Sequence, residues 1–171
     1  FNDATRVPLI FAGPGVKQNI NAIENPVELV DVYPTIMDLL GMKTPEFISG
    51  KSLRPYLEGN SSPIRKSALT ELMVYTNKGI AQGYSIKTKR YRLTRWEESD
   101  GFSFELYDHK YDTTELENLS GKKDYNFVKD SLITVLENRV SEARSVPTNL
   151  GRQIENVKPW NEPKRILPME K

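Results

Sequence analysis

Cysteine is absent from this 171-residue chain, and histidine occurs once, at His109. Without cysteine there is no disulfide, no thiolate metal site and no cysteine nucleophile, and the redox compartment stays open. With one histidine, no His–His or His–Cys metal pair can come from these residues. A surplus of one charge sign is also missing: 24 lysines and arginines face 23 aspartates and glutamates, for a net charge of +1. A nucleic-acid binder would show a basic excess gathered on one face. No apolar run approaches the roughly 18 residues of a membrane span, and no signal peptide is visible. The chain opens on Phe1 rather than Met, so the expectation is a piece that begins mid-protein or after processing. No internal repeat is found.

What remains is a soluble composition, 37% hydrophobic and 27% charged, long enough for one ordinary domain with a core. Val7 to Phe11 is a short apolar run ending in Ala12-Gly-Pro-Gly-Val16. It lacks polar alternation and predicts a strand covered on both faces, as in a parallel sheet, with Pro8 at its start. Nothing later looks like a second buried parallel strand, so its neighbours are expected from residues before Phe1. Asn25-Pro-Val-Glu28 is a helix start, followed by apolar residues at Val27, Val30, Tyr33, Met37 and Leu40 and a stop at Gly41. Pro34 lies inside that stretch and predicts a kink or a fresh start. Residues 44–66 are turn-rich and read as a connector rather than core. Asn60-Ser-Ser62 and Asn118-Leu-Ser120 match the glycosylation triplet.

From Ser67 the apolar period changes to two. Ala68 to Tyr75, Tyr84 to Thr88, Tyr91 to Trp96 and Phe104 to Tyr107 predict strands, the middle two joined as a hairpin through Lys89-Arg90. Asp124 to Arg144 carries apolar residues at Phe127/Val128, Leu132, Val135/Leu136, Val140 and Ala143, and predicts a helix of about five turns lying across that sheet. Beyond Pro147 an extended tail is expected, pinned by Trp160.

Five segments in order resemble the C-terminal third of the type I, formylglycine-dependent sulfatases. They are Arg6-Val-Pro-Leu-Ile-Phe-Ala-Gly-Pro-Gly15, Val30-Asp-Val-Tyr-Pro-Thr-Ile-Met-Asp-Leu-Leu-Gly41 and Gly50-Lys-Ser-Leu-Arg-Pro-Tyr-Leu57. Gly83 to Trp96 follows, then Glu105-Leu-Tyr-Asp108 with Glu115-Leu-Glu-Asn-Leu119. Gly83 to Trp96 is most similar to the iduronate-2-sulfatase-like branch.

The resemblance implies an α/β fold. Residues 1–47 would end an alkaline-phosphatase-like parallel-sheet domain and 48–66 would connect. Residues 67–146 would form a small antiparallel sheet with one packed helix, and 147–171 a tail. It also implies sulfate-ester hydrolysis with a formylglycine nucleophile and a Ca2+ ion. Both would lie in an N-terminal portion that this chain lacks, which makes that portion its partner and leaves the piece alone inert. Family members are usually periplasmic, secreted or lysosomal.

Among the remaining residues, Asp108, Asp112, Glu115 and Glu117 form an acidic cluster in which a calcium site is conceivable, against an ordinary turn. His109 reads as an exposed turn residue. Lys87, Lys89, Arg90, Arg92 and Arg95 crowd one hairpin, either as a solvated face or as a rim for a polyanionic sugar. In the second case Tyr84 or Trp96 would stack on a ring. The resemblance places the C-terminal subdomain at the substrate pocket, which makes Tyr75, Asn77 and Lys78 candidates for reading the sugar. The substrate-binding set is thus Tyr75, Asn77, Lys78, Tyr84, Arg92 and Trp96, with no catalytic or metal-binding residue. The first functional reading is part of a sulfatase acting on a sulfated, uronate-containing saccharide. The alternatives are a phosphodiesterase or phosphonate hydrolase of the same superfamily, and a saccharide-binding module without chemistry.

Overall fold

The structure, a computed structural model, describes residues 2–18, 22–76, 79–99 and 101–145. Helix α1 spans Asn2–Thr5, α2 spans Val32–Leu39 and α3 spans Arg54–Leu57. Four strands follow, β1 Ala68–Thr76, β2 Gly79–Lys87, β3 Tyr91–Glu98 and β4 Gly101–Asp108, before the long helix α4, Asn126–Arg144. The strands form one antiparallel sheet in sequence order. A meander of this kind needs only short turns between neighbours, which the Lys89-Arg90 link supplies. β2 begins at Gly79, five residues before the alternation became legible at Tyr84.

Alternation sends the two faces to different surroundings. One face presents Leu69, Tyr84, Ile86, Tyr91, Leu93, Phe104 and Leu106 to Leu132, Leu136 and Val140 of α4. Ile86, Leu93, Leu106 and Leu136 are wholly buried there, and each such side chain contributes about 1.5–3 kcal/mol by leaving water. The predicted helix over Asp124 to Arg144 is borne out, with a 3-10 turn over Lys123–Tyr125 ahead of it.

Three expectations change. No strand forms over residues 7–11; Val7 is 51% and Ile10 is 85% exposed. A parallel strand exists only through its neighbours' hydrogen bonds, and no described strand pairs with this segment. The helix expected from Asn25 begins later. Leu29–Asp31 is a 3-10 turn, and α2 restarts at Val32, which leaves Pro34 in its first turn where a missing N–H costs nothing. The stretch 44–66 is not merely a connector, because Leu53 and Tyr56 are buried. Tyr56 accepts a hydrogen bond from the Ile64 N–H at 2.8 Å, and the Leu53 N–H donates to Thr35 Oγ1 of α2 at 2.8 Å. The tail from Pro147, with Trp160, lies outside the described residues.

Gly50 lies where this stretch presses on α2. A Cβ there would fall 2.0 Å from the Val30 carbonyl oxygen and 3.0 Å from the Pro34 ring. Backbone cannot yield as a flexible side chain can, so Gly50→Ala is expected to destabilise the protein by about 3 kcal/mol. Urea unfolding of the alanine variant checks this, and an unchanged midpoint would refute the close approach.

Candidate functional site

The sheet face turned away from α4 is polar and partly closed over by the N-terminal segment. Register sets Lys87 directly opposite Arg92, and Ser85 opposite Thr94 one row along. Two cations facing each other across strands repel, and one carboxylate lies between this pair and the loop after β4. Glu115, fully buried, accepts a hydrogen bond from Arg92 Nε at 2.6 Å and contacts His109 Nε2 at 2.6 Å. Its other oxygen accepts from the Asn2 backbone N–H at 2.7 Å. Arg92 completes its fork on Thr5 Oγ1 at 2.8 Å and Ser85 Oγ at 3.2 Å. α1 is thereby tied to β3 and to the loop after β4. Glu115 adopts φ 59°, a left-handed conformation that costs a non-glycine residue energy.

Titration follows from this crowding. Burial pushes the Glu115 carboxyl up, but the Arg92 charge and the hydrogen bonds from Arg92, His109 and the Asn2 N–H outweigh it and hold it below the ordinary value. Burial pushes His109 below its usual 6.5; its hydrogen bond to Glu115 opposes this, and the nearby Lys87 charge adds to it. Burial, with Arg92 opposite, lowers Lys87 to about 8.

A pH dependence follows for His109. The folded protein holds the imidazole neutral, so as pH falls through 6.5 the unfolded chain takes up the proton first. Stability is fully present above that value and declines below it, with Glu115 adding a further loss under pH 4.5. Thermal unfolding of wild type and His109→Gln between pH 7.5 and 5 checks this. The glutamine variant is expected to lose less on acidification, and parallel curves would refute it.

Lys87, Arg92 and His109 line a cleft of about 1370 Å³ whose walls include α1, the turn at 26–30, the start of β1 and Arg139 and Glu142 of α4. A second buried network holds that wall together. Arg65 pairs with Asp31 and, at 3.2 Å, with Glu28, and Glu28 also receives Arg139 of α4 at 2.7 Å.

The sequence-predicted residues divide between the faces. Tyr75 is 70% exposed near the end of β1, on the face that carries α4. Tyr84 is buried on that same face, where Arg144 donates to its hydroxyl and the Arg95 and Arg144 guanidinium groups lie 5.5 and 5.2 Å from its ring centre. Arg92 and Trp96 share the opposite face. Trp96 is half-buried, its ring lying over Gly83, where an added Cβ would meet it at 2.7 Å. Asn77 and Lys78 lie outside the described residues. Of the described members of the set, Arg92 alone lines the cleft.

Four of the hairpin's five cations are held by carboxylates, Arg92 by Glu115 and three others nearer the surface, while Lys87 has none bound among the described residues. Lys89 pairs with Glu24 at 2.7 Å, Arg90 with Asp108 at 2.6 Å and Arg95 with Glu97 at 2.7 Å. His109 is not an exposed turn residue, since its side chain is 11% accessible. Sequence reading missed Glu115 as the partner of Arg92 because no local pattern joins a loop carboxylate to an arginine 23 positions earlier.

The acidic cluster does not fit a cation. Asp108 is bound to Arg90, Glu117 pairs with Lys122, and Asp112 accepts the N–H groups of Leu116 and Glu117 at 2.7 and 2.9 Å. Among the described residues no group of three or more His, Asp or Glu side chains could hold a metal ion. The Asn118 amide is engaged too. It donates to the Phe104 carbonyl at 3.1 Å and accepts from the Leu106 N–H at 3.1 Å, pinning the edge of β4.

A helix-backed antiparallel meander, joined through buried ion pairs to an N-terminal helical segment, is an α+β arrangement. Residues 1–142 match the family described as N-sulphoglucosamine sulphohydrolase, C-terminal. The chain belongs to that family of sulfatase C-terminal domains. It is 30% identical over 150 residues to the Delta 4,5-hexuronate-2-O-sulfatase of Bacteroides thetaiotaomicron, covering 84% of this chain and 30% of that protein. A solved 2-O GAG sulfatase superposes with a TM-score of 0.67 at 27% identity, over 82% of this chain and 32% of its own. The phosphonate monoester hydrolase of Agrobacterium radiobacter superposes with a TM-score of 0.52 at 25% identity, over 66% and 24%. The chain therefore spans about a quarter to a third of these relatives' length.

Proposed function

We propose that this chain is the C-terminal part of a sulfatase that hydrolyses sulfate esters of a sulfated, uronate-containing saccharide. The observation that carries the reading is the family match over residues 1–142, joined to the likeness in both sequence and fold to 2-O-sulfatases. In this proposal residues 1–47 end the catalytic domain, 48–66 connect, 67–146 form the C-terminal subdomain and 147–171 the tail. The formylglycine nucleophile and the Ca2+ ligands come from an N-terminal portion outside these residues. The chain's own contribution is to complete the fold and to wall the substrate pocket.

Tyr75 and Trp96 keep ring surface that a sugar could meet, and Asn77 and Lys78 are polar groups near Tyr75 in sequence. Tyr84 and Arg92 serve as supports, since each is committed to internal partners. The compartment is periplasmic, secreted or lysosomal.

Sulfate release by the complete protein from 2-O-sulfated uronate disaccharides and from an aryl sulfate tests this, and release from neither sinks it. The phosphonate hydrolase likeness favours a second reading. Turnover of a phosphonate monoester without turnover of any sulfate ester would establish that one instead.

A further inference from the structure

Of the basic side chains lining the cleft, Lys87 and the exposed Arg6 have no carboxylate bound to them among the described residues, and of these two Lys87 is the one partly buried. Arg92 is neutralised by Glu115, and Arg139 by Glu28. The Lys87 ammonium reaches only carbonyl oxygens, Thr88 at 2.6 Å and Lys89 at 3.5 Å, and an ammonium carries three N–H donors. Lys87 faces Arg92 across the strands, while Glu115 answers one of those two charges. A positive charge is thus held partly out of water, eased by the nearby Glu115 charge but with no carboxylate bound to it. Such an arrangement is costly by itself and becomes favourable once an anion enters. The cleft beside it, at about 1370 Å³, exceeds what a sugar ring needs, and Thr70 and His109 add polar groups to its lining.

We propose that Lys87 is an anion-binding residue of the substrate cleft, taking a carboxylate or sulfate group of the saccharide other than the ester being cleaved. The inference rests on the sulfatase reading and deepens it. Trp96, chosen from sequence for its ring, and Tyr75, chosen from the loop after β1, do not line this cleft; Lys87 does, from the strand face that the register dictates.

The test uses the complete enzyme and three variants: Lys87→Met, Lys87→Arg, and Lys123→Met as an exposed charge removed elsewhere. Substrates are a sulfated uronate disaccharide, its carboxyl-reduced form, a disulfated form and an aryl sulfate with a single anionic group. Lys87→Met is expected to raise KM about tenfold on the substrate carrying the recognised second anion, with kcat changed less than twofold. Lys87→Arg restores most of the loss, and Lys123→Met has wild-type kinetics.

Loss of the effect on the carboxyl-reduced sugar assigns the uronate carboxylate, and its appearance only on the disulfated sugar assigns a second sulfate. An equal rise on the aryl sulfate, or no rise on any saccharide, overturns the subsite while leaving the sulfatase reading in place. Wild-type enzyme that cleaves none of these esters overturns both.

Discussion

Glu115→Ala is expected to lower unfolding stability by about 3–5 kcal/mol, the cost of leaving a buried charge without its partner. Arg92 is 3% accessible at its side chain and has no other carboxylate bound to it in the described structure. Losing Glu115 would leave a guanidinium held only by the hydroxyls of Ser85 and Thr5. The Asn2 N–H would lose its acceptor as well. Two readouts separate this from a general loss of packing. Arg92→Met combined with Glu115→Leu should recover much of the loss, because two apolar residues bury without stranding a charge. Limited proteolysis should show residues 2–6 cut faster in Glu115→Ala, since that carboxylate ties α1 to the sheet. A midpoint within about 1 kcal/mol of wild type would mean that α1 is held by something else.

Asp31→Ala should cost a similar amount, about 3–5 kcal/mol, for a different combination of reasons. Asp31 is wholly buried and receives Arg65 Nε at 2.9 Å, the Lys51 N–H at 2.7 Å and the Glu28 N–H at 2.9 Å. Burial alone would raise its pKa, but the hydrogen bonds from Arg65, Lys51 and Glu28 outweigh it and keep the carboxyl below its ordinary value. Alanine removes the acceptor for both backbone donors and half the anchoring of Arg65, which retains Glu28. Asp31→Asn keeps the shape and one acceptor oxygen, and should lose less. Urea midpoints ranked alanine, asparagine, wild type would support the account. Equal losses would show that charge rather than backbone satisfaction governs the site.

The two networks divide the work of joining α2 and α1 to the sheet, and neither relies on apolar contact. Apolar side chains on α2 and in the segment before it, Val7, Ile10, Leu29, Tyr33, Ile36 and Leu40, are exposed in the described structure. The core proper is small and lies between α4 and one sheet face. A ring of charge pairs then carries orientation, which apolar packing leaves loosely specified.

Much of this architecture is dictated locally and was legible in the chain. Period-two alternation over residues 67–107 implies a half-covered antiparallel sheet, and helical spacing over Asp124 to Arg144 implies its cover. The order of five short segments is enough to identify the family. These are readable because each depends on residues within one or two turns of one another. Tertiary structure alone decided the rest. Glu115 meets Arg92 and α1 only because a loop returns beneath β3. Tyr84 and Trp96 part company because strand register puts them on opposite faces, and Lys87 reaches a cleft that no neighbouring residue announces. Pairing across tens of residues is set by how strands and loops return on themselves, and a buried charge takes whichever partner that return delivers.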